Sequence, residues 1–218
     1  SLVYIMKYDA YIFDMDGTIL NTIEDLTDST NYTMEKMGYP LHTIEEVKWF
    51  VGNGIINLIK RAVPEGTSDE DIKKTYDIFM EYYKVHCNDK TGPYDGITAL
   101  LTELKKSSKK LAVVSNKADV PVKKLAEDIF PGLFDIAIGE REGVNKKPEK
   151  DMVEIALNYL KCDKKNAVYI GDTDVDFLTA KNSGLDCILV SWGFRGADFI
   201  KKYDANYFVD RPEEILDI

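Results

Sequence analysis

Six short apolar runs punctuate the chain, at residues 10–13, 111–114, 134–138, 167–170, 187–190 and 207–209. They are rich in Val, Ile, Phe and Tyr, and for the most part they do not alternate with polar residues. Strands covered on both faces have that character, because neither face needs to meet water. Between the later runs lie segments with apolar residues at helical spacing, at 119–129, 149–160 and 174–183. Strand and helix in regular alternation predict an α/β fold on a mostly parallel sheet.

One stretch breaks the rhythm. From Asn21 to Thr91 no strand-like run occurs, and the spacing predicts helices at 23–37, 44–50, 54–63 and 69–86. Ile23, Leu26, Met34 and Met37 share one helical face, as do Ile72, Tyr76, Phe79 and Tyr83; both stripes read as core. Thr43-Ile44-Glu45-Glu46 has the form of a capping box, and Ser68-Asp69-Glu70-Asp71 is a weaker version. Roughly seventy residues is too long for an ordinary strand-to-strand connection. Residues 21–92 are therefore expected to form a separate all-helical unit. It would be inserted into a core of residues 1–20 and 93–218, with Asn21-Thr22 and Pro93-Tyr94-Asp95-Gly96 as hinges.

Composition narrows the class. With 44% hydrophobic and 11% aromatic residues, the 218-residue chain can bury a core, which excludes a disordered protein. Its 38 acidic and 28 basic side chains give a net charge of −10. That charge argues against nucleic acid or an anionic membrane as the main partner. No apolar run approaches the roughly 18 residues that would span a bilayer. Cys87, Cys162 and Cys187 show no metal-binding spacing, and their odd number fits a reduced, cytoplasmic setting. The stretch Ser1-Leu2-Val3-Tyr4-Ile5 is too short for a signal peptide, and Met6 is an alternative start. The expected assembly is a monomer or weak homodimer. Lys105-Lys106-Ser107-Ser108-Lys109-Lys110 reads as a solvated helix end rather than a docking patch.

Sites in open α/β sheets form beyond the carboxyl ends of the strands. Asp14-Met15-Asp16-Gly17-Thr18 follows the first run, Ser115-Asn116-Lys117 the second, and Gly171-Asp172-Thr173-Asp174-Val175-Asp176 the fourth. Asp14 and Asp16, at i and i+2, can face the same side, about 7 Å apart along the chain. Converging carboxylates repel, which raises a pKa or recruits a metal. Asp172 adds a third carboxylate, and Asp176 shares its face one helical turn on. Four hard oxygen donors with no His or Cys nearby suit Mg²⁺. The competing reading, turn formers and caps, is preferred only for Asp174.

Other residues point to phosphate. Ser115 offers a hydroxyl and adjacent backbone N–H groups, and Lys147 a point charge; Lys146 is an alternative to Lys147. Read alone, either lysine is a surface charge and Ser115 a helix cap. Read together with the carboxylates, Asp14 can attack phosphorus and form an aspartyl phosphate. Asp16 can then protonate the leaving alkoxide and later deprotonate water.

Asp14-Met15-Asp16-Gly17-Thr18 resembles the first motif of the haloacid dehalogenase superfamily. Ser115, Lys147 and 171–176 resemble its second, third and fourth motifs, in order, and the likeness spans about residues 8–214. It implies a Rossmann-like core with a helical cap inserted after the first motif. It also implies Asp14 as nucleophile and Asp16 as general acid/base. Mg²⁺ would be held by Asp14, the Asp16 backbone carbonyl and Asp172, with Asp176 in support. Thr18 and Asn116 would orient nucleophile and phosphate.

Asp16 speaks against the dehalogenases and phosphonatases, and Leu26 stands where β-phosphoglucomutases usually carry His. Trp49-Phe50-Val51-Gly52-Asn53-Gly54, with Leu58, Arg61 and Ala62, resembles phosphoglycolate phosphatases. Gly52, Asn53 and Gly54 can bring cap backbone close to a small ligand, though the same residues also read as a plain helix start. Lys48, Lys60 or Arg61 could meet a substrate carboxylate but read more simply as surface charges. Asn21-Thr22 and Lys150 depart from the family pattern at a hinge and a helix start, away from the chemistry. The expected activity is a Mg²⁺-dependent phosphatase for a small metabolite, phosphoglycolate first. The alternatives are a pyrophosphatase, or a sugar-phosphate phosphatase or mutase of the same superfamily. A phospho-accepting receiver domain has no use for Asp16 or the inserted helices.

Overall fold

The structure is a computed structural model and describes residues 3–218; Ser1 and Leu2, the start of the N-terminal stretch read above, lie outside the described residues. The chain runs β1 (Ala10–Phe13), β2 (Leu20–Asn21), α1 (Ile23–Met37), α2 (Ile44–Phe50), α3 (Ile55–Ala62), α4 (Asp69–His86), β3 (Gly92–Pro93) and α5 (Ile97–Lys106). It continues through β4 (Lys110–Ala118), α6 (Asp119–Ile129), β5 (Ile136–Glu140), α7 (Asp151–Leu160), β6 (Ala167–Gly171), α8 (Asp174–Ser183), β7 (Asp186–Val190), α9 (Ala197–Ile200) and β8 (Tyr207–Val209).

Six strands form one parallel sheet in the order β5-β4-β1-β6-β7-β8. Counted by appearance within that sheet the order is 3-2-1-4-5-6, the doubly wound arrangement whose binding crevice lies where the order reverses. β1 sits at that point, with Phe13 paired to Val113 of β4 on one side and Ile170 of β6 on the other.

The strands do not alternate in polarity because both faces are covered. Tyr11, Phe13, Val113 and Ile170 pack with Ile97, Leu101, Val122 and Leu125 of α5 and α6. Their neighbours Ile12, Val114 and Tyr169 pack on the opposite face with Met152, Val153 and Ala156 of α7 and Ala180 of α8. The first of these cores runs on into the inserted helices through Met15, Ile19, Leu26, Val51, Ile55, Leu58 and Phe79. No described helix is long and apolar enough to cross a membrane. The three cysteines are unpaired.

Element boundaries differ at the second run, expected at 111–114 and found at Lys110–Ala118, and at the third, expected at 134–138 and found at Ile136–Glu140. The Asp135 carboxylate accepts from Leu111 N at 2.8 Å, and Phe134 packs edge-on against Phe13, so pairing starts later. It also ends later, because β4 continues past an irregularity to pair Ala118 with Glu140.

The 21–92 stretch is helical as the spacing indicates, and its helix starts are local chemistry. Thr43 Oγ1 accepts from Glu46 N while Glu46 accepts from Thr43 N, and Ser68 caps α4 through Asp71 N. The flanking chain is closed by the β2–β3 antiparallel ladder, Leu20 opposite Pro93 and Asn21 opposite Gly92. Beside it, the buried Asp25 carboxylate of α1 accepts from Lys90 N at 2.9 and 3.1 Å and from Thr91 Oγ1 at 2.7 Å. One side chain thus ties the entry of the helical stretch to its exit.

Asp25→Ala strands those donors and is expected to cost about 1–3 kcal/mol in urea unfolding. Loss of less than half a kcal/mol, on the same scale, would mean the tie adds nothing.

Candidate active site

The strand ends bring most of the sequence-derived residues together. Asp14 leaves β1, Ser115, Asn116 and Lys117 end β4, and Asp172 and Asp176 flank the start of α8. Lys147 arrives from the segment before α7. Its ammonium is buried and lies 2.9 Å from Asp14 Oδ1, 3.1 Å from Asp176 Oδ1, 2.8 Å from the Tyr169 hydroxyl and 3.1 Å from Val114 O. Its backbone is held on both sides by one amide. Lys147 N donates to Asn116 Oδ1 at 2.8 Å, and Asn116 Nδ2 donates to Lys147 O at 2.9 Å.

Asp176 accepts at both oxygens. Asp172 N and Thr173 N donate to Oδ2, at 2.9 and 3.1 Å, and the Tyr169 hydroxyl donates to Oδ1 at 2.6 Å. Thr173 and Asp176 form a capping box on α8, so the helix start itself fixes this carboxylate. Gly171 is needed beneath it, since a Cβ there would lie 2.2 Å from Asp176 Cγ. Asp172 receives Thr18 Oγ1 and Phe194 N, each at 3.0 Å. Gly17 makes room on its other side; at φ +83° it takes the left-handed turn, and a Cβ would meet Asp172 Oδ2 at 2.2 Å.

Asp14, Asp172 and Asp176 each offer an oxygen within 4.8 Å of the others, a group able to hold a metal ion. Burial and the neighbouring Asp176 push the Asp14 carboxyl well above the usual range, against the pull of Lys147. Burial and Asp176 raise Asp172 to about 7. Asp176 goes the other way: burial works against its charge, but Lys147, Tyr169 and the backbone donors keep it low. Lys147 is likewise held charged, its burial outweighed by Asp14 and Asp176.

Asp16 departs from the expected carboxylate cluster. Its side chain turns away from the other three, with Oδ1 2.8 Å from Lys117 Nζ. A main-chain metal contact, as the resemblance implies, leaves that carboxylate for other work. Asp174 takes no part in the cluster, in line with a helix-start role.

A cavity of about 30 Å³ adjoins these groups, lined by Asp14, Asp16, Ser115 and Lys117 at the strand ends, by Lys147, and by Leu26, Val51, Gly52, Gly54 and Ile55 from the stretch between β2 and β3. That is room for about one or two water molecules. Asn53 approaches as well, its Oδ1 3.3 Å from Asn116 Nδ2. A larger groove of about 560 Å³ between α1 and α4 is lined by Tyr32, Tyr82 and His86 and lies away from all these groups. Lys48, Lys60 and Arg61 do not line the small cavity. Lys48 pairs with Glu45 at 3.1 Å, Arg61 donates to Phe50 O at 2.9 Å, and Lys60 is exposed. Lys146 approaches Gly54 rather than the carboxylates.

Four contributors carried no role in the sequence reading. Tyr169 sits inside an apolar strand, where only its hydroxyl signals a buried partner. Lys117 is a lysine at the end of an apolar strand, and Tyr83 of α4 reaches its ammonium from the inserted helices. Arg195, beyond β7, donates to Lys48 O and, at 2.6 Å, to Val51 O, and stacks over Trp49 at 5.0 Å. It thereby caps the open carbonyl end of α2 from the opposite side of the cavity. No local pattern marks it.

Comparison with known proteins agrees with this geometry. Residues 11–190 match the family described as haloacid dehalogenase-like hydrolase. A solved candidate phosphoglycolate phosphatase from Lactobacillus delbrueckii subsp. bulgaricus is 39% identical, with TM-score 0.92 over 96% of this chain and 97% of that one. The phosphoglycolate phosphatase of Aquifex aeolicus is 29% identical over 94% of this chain and 93% of its own length. The pyrophosphatase PpaX of Halalkalibacterium halodurans is 27% identical over 98% and 97%. With a crevice at the reversal of strand order, the four motif positions around it and a family match over most of its length, the chain belongs to the haloacid dehalogenase-like hydrolases.

Proposed function

We propose that this hydrolase is a Mg²⁺-dependent phosphatase that cleaves a small phosphomonoester of the phosphoglycolate type through a phosphoryl group carried on Asp14. The observation that carries the reading is a charge balance. Three buried carboxylates, Asp14, Asp172 and Asp176, face one buried ammonium, Lys147; fully ionised they would leave two negative charges beside the cavity, and the upward push on Asp14 and Asp172 registers that excess. A divalent cation with a preference for hard oxygen satisfies that excess, and Mg²⁺ fits the donor set. Asp14, Asp172 and the Asp16 carbonyl would hold it, with Asp176 in support. When bound, Mg²⁺ supplies the charge that lets the substrate phosphate approach a carboxylate.

The chain's own groups do the rest. Lys147 holds Asp14 by one oxygen and aims the carboxylate at phosphorus. The Ser115 hydroxyl and the Asn116 backbone N–H take the phosphate oxygens, while the Asn116 side chain serves the phosphate only indirectly, by holding the Lys147 backbone. Thr18 keeps Asp172 in place. Asp16 gives a proton to the leaving oxygen, then takes one from the water that hydrolyses the aspartyl phosphate. Residues 21–92 act as a cap on a core of residues 1–20 and 93–218. The Arg195–Trp49 contact and the Gly52–Gly54 loop close it over the crevice and exclude bulk water.

The apolar wall that Leu26, Val51 and Ile55 present beside the site supports a substrate with few hydroxyl groups beyond the phosphate rather than a sugar phosphate. Pyrophosphate is the second reading, favoured by the relative of that activity. Phosphate release from 2-phosphoglycolate, pyrophosphate, a hexose phosphate and p-nitrophenyl phosphate, with and without Mg²⁺, tests the proposal. A Mg²⁺-dependent preference for phosphoglycolate supports it, and no release from any of the four refutes it.

Two further outcomes follow from the site. Asp16→Asn should slow phosphoglycolate turnover by roughly 10²-fold or more, and p-nitrophenyl phosphate, whose leaving group needs little protonation, by much less. Equal losses on both substrates would remove the acid role. The second concerns the metal-free protein. Asp172 binds its proton more tightly folded, at about 7, than at the ordinary 3.8. The folded state therefore holds more protons between those values, and stability falls as pH rises from about 4 to about 7, by at most roughly 1.4 kcal/mol per unit. In urea unfolding with EDTA, Asp172→Asn should flatten this slope. Parallel profiles for variant and wild type would show that Asp172 is not raised.

A further inference from the structure

The substrate proposed above carries a second negative charge, on a carboxylate or second phosphoryl group, and the sequence offered cap cations to meet it. Those cations are placed elsewhere. Lys48 is paired with Glu45, Arg61 with a backbone carbonyl, and Lys60 is exposed. Arg195 is committed to the carbonyls of Lys48 and Val51. Among the described residues, two cations line the cavity, Lys147 and Lys117. Lys147 has four oxygen partners for three N–H donors.

Lys117 differs. Its side chain is 1% exposed, yet among the described residues its ammonium donates a hydrogen bond only to the Tyr83 hydroxyl and forms an ion pair with Asp16 Oδ1 at 2.8 Å. Tyr83 is fully buried and its phenol is held neutral, so it supplies no negative charge. In the proposed reaction Asp16 serves the leaving oxygen. To act as the acid Asp16 must carry a proton while the substrate is bound, and in that state the buried ammonium needs another anion close by, because an unpaired buried charge is costly. The rest of the wall near the helices is apolar: Leu26, Val51 and Ile55.

We propose that Lys117 is the specificity residue for the leaving group, binding an anionic group attached one or two atoms beyond the ester oxygen. The position follows from its partner: a group that near to the oxygen served by Asp16 falls beside the ammonium that touches Asp16. The wall of Leu26, Val51 and Ile55 offers hydroxyl groups no partner, so a short carboxylate or a second phosphoryl group is favoured and a neutral polyol gains nothing. This inference rests on the phosphatase reading.

The test pairs two alkyl phosphates whose leaving alcohols both need protonation, 2-phosphoglycolate and 2-hydroxyethyl phosphate. Wild type should favour phosphoglycolate in kcat/KM. Lys117→Met should erase that preference by lowering phosphoglycolate turnover roughly 10- to 100-fold more than 2-hydroxyethyl phosphate turnover, the difference lying mostly in KM. Equal losses on the two substrates would show that Lys117 acts only by positioning Asp16, and would overturn the proposal while leaving the phosphatase standing. Release of phosphate from neither substrate by wild type would sink both.

A second measurement needs no variant to fold. Calorimetric titration of the wild type should find 3-phosphonopropionate bound at least roughly tenfold tighter than propylphosphonate, which lacks the carboxylate. Equal affinities would overturn the proposal.

Discussion

Everything in the crevice hangs on one buried ammonium. Lys147 Nζ reaches the ends of β1, β4 and β6 at once, through Asp14, the Val114 carbonyl, Tyr169 and Asp176. Such a charge is tolerated only when its donors are matched and its counter-charges are close. Both conditions are met by residues that are themselves fixed. Asp176 is held by the capping box of α8, and the Lys147 backbone by the two-sided grip of Asn116. Removing the amine would leave three carboxylates against each other in a dry site. That dependence explains why a lysine is buried at all in an acidic chain.

The same balance divides the site into two unequal halves. Lys117 with Asp16 forms one, a single ion pair. Lys147 with Asp14, Asp172 and Asp176 forms the other, two charges short of balance. In the proposed reaction the metal belongs to the second half, and the leaving group to the first. The inserted helices reach both: Tyr83 touches Lys117, and the Gly52–Gly54 loop with Asn53 lies over Asn116. Arg195 and Trp49 fasten the far side. Cap position and the electrostatics of acid and leaving group are thereby coupled through few contacts.

Much of this was legible in the chain. Apolar runs without alternation foretold strands covered on both sides, and polar clusters directly after three of them foretold the crevice. Helix starts that depend on a few adjacent residues, such as Thr43 with Glu46, were readable for the same reason. What escaped depended on distance in sequence. Asp16 looked like a fourth member of the carboxylate cluster until Lys117, about a hundred residues on, drew it aside. Tyr169 and Tyr83 passed as core aromatics, because periodicity reports the ring and not the hydroxyl. Arg195 meets α2 across nearly 150 residues, and no spacing rule spans that. The end of β5 moved because pairing with β4, not local propensity, decided where it stopped.

The central claim is that a phosphoryl group passes to Asp14. The direct measurement is a rapidly acid-quenched single turnover, in Mg²⁺, of a substrate labelled in its phosphoryl group, followed by peptide mapping. The account predicts a transient, hydroxylamine-sensitive label on the peptide containing Asp14, absent from Asp14→Asn. Turnover with no label on that peptide, or phosphate release by Asp14→Asn at the wild-type rate, would contradict it.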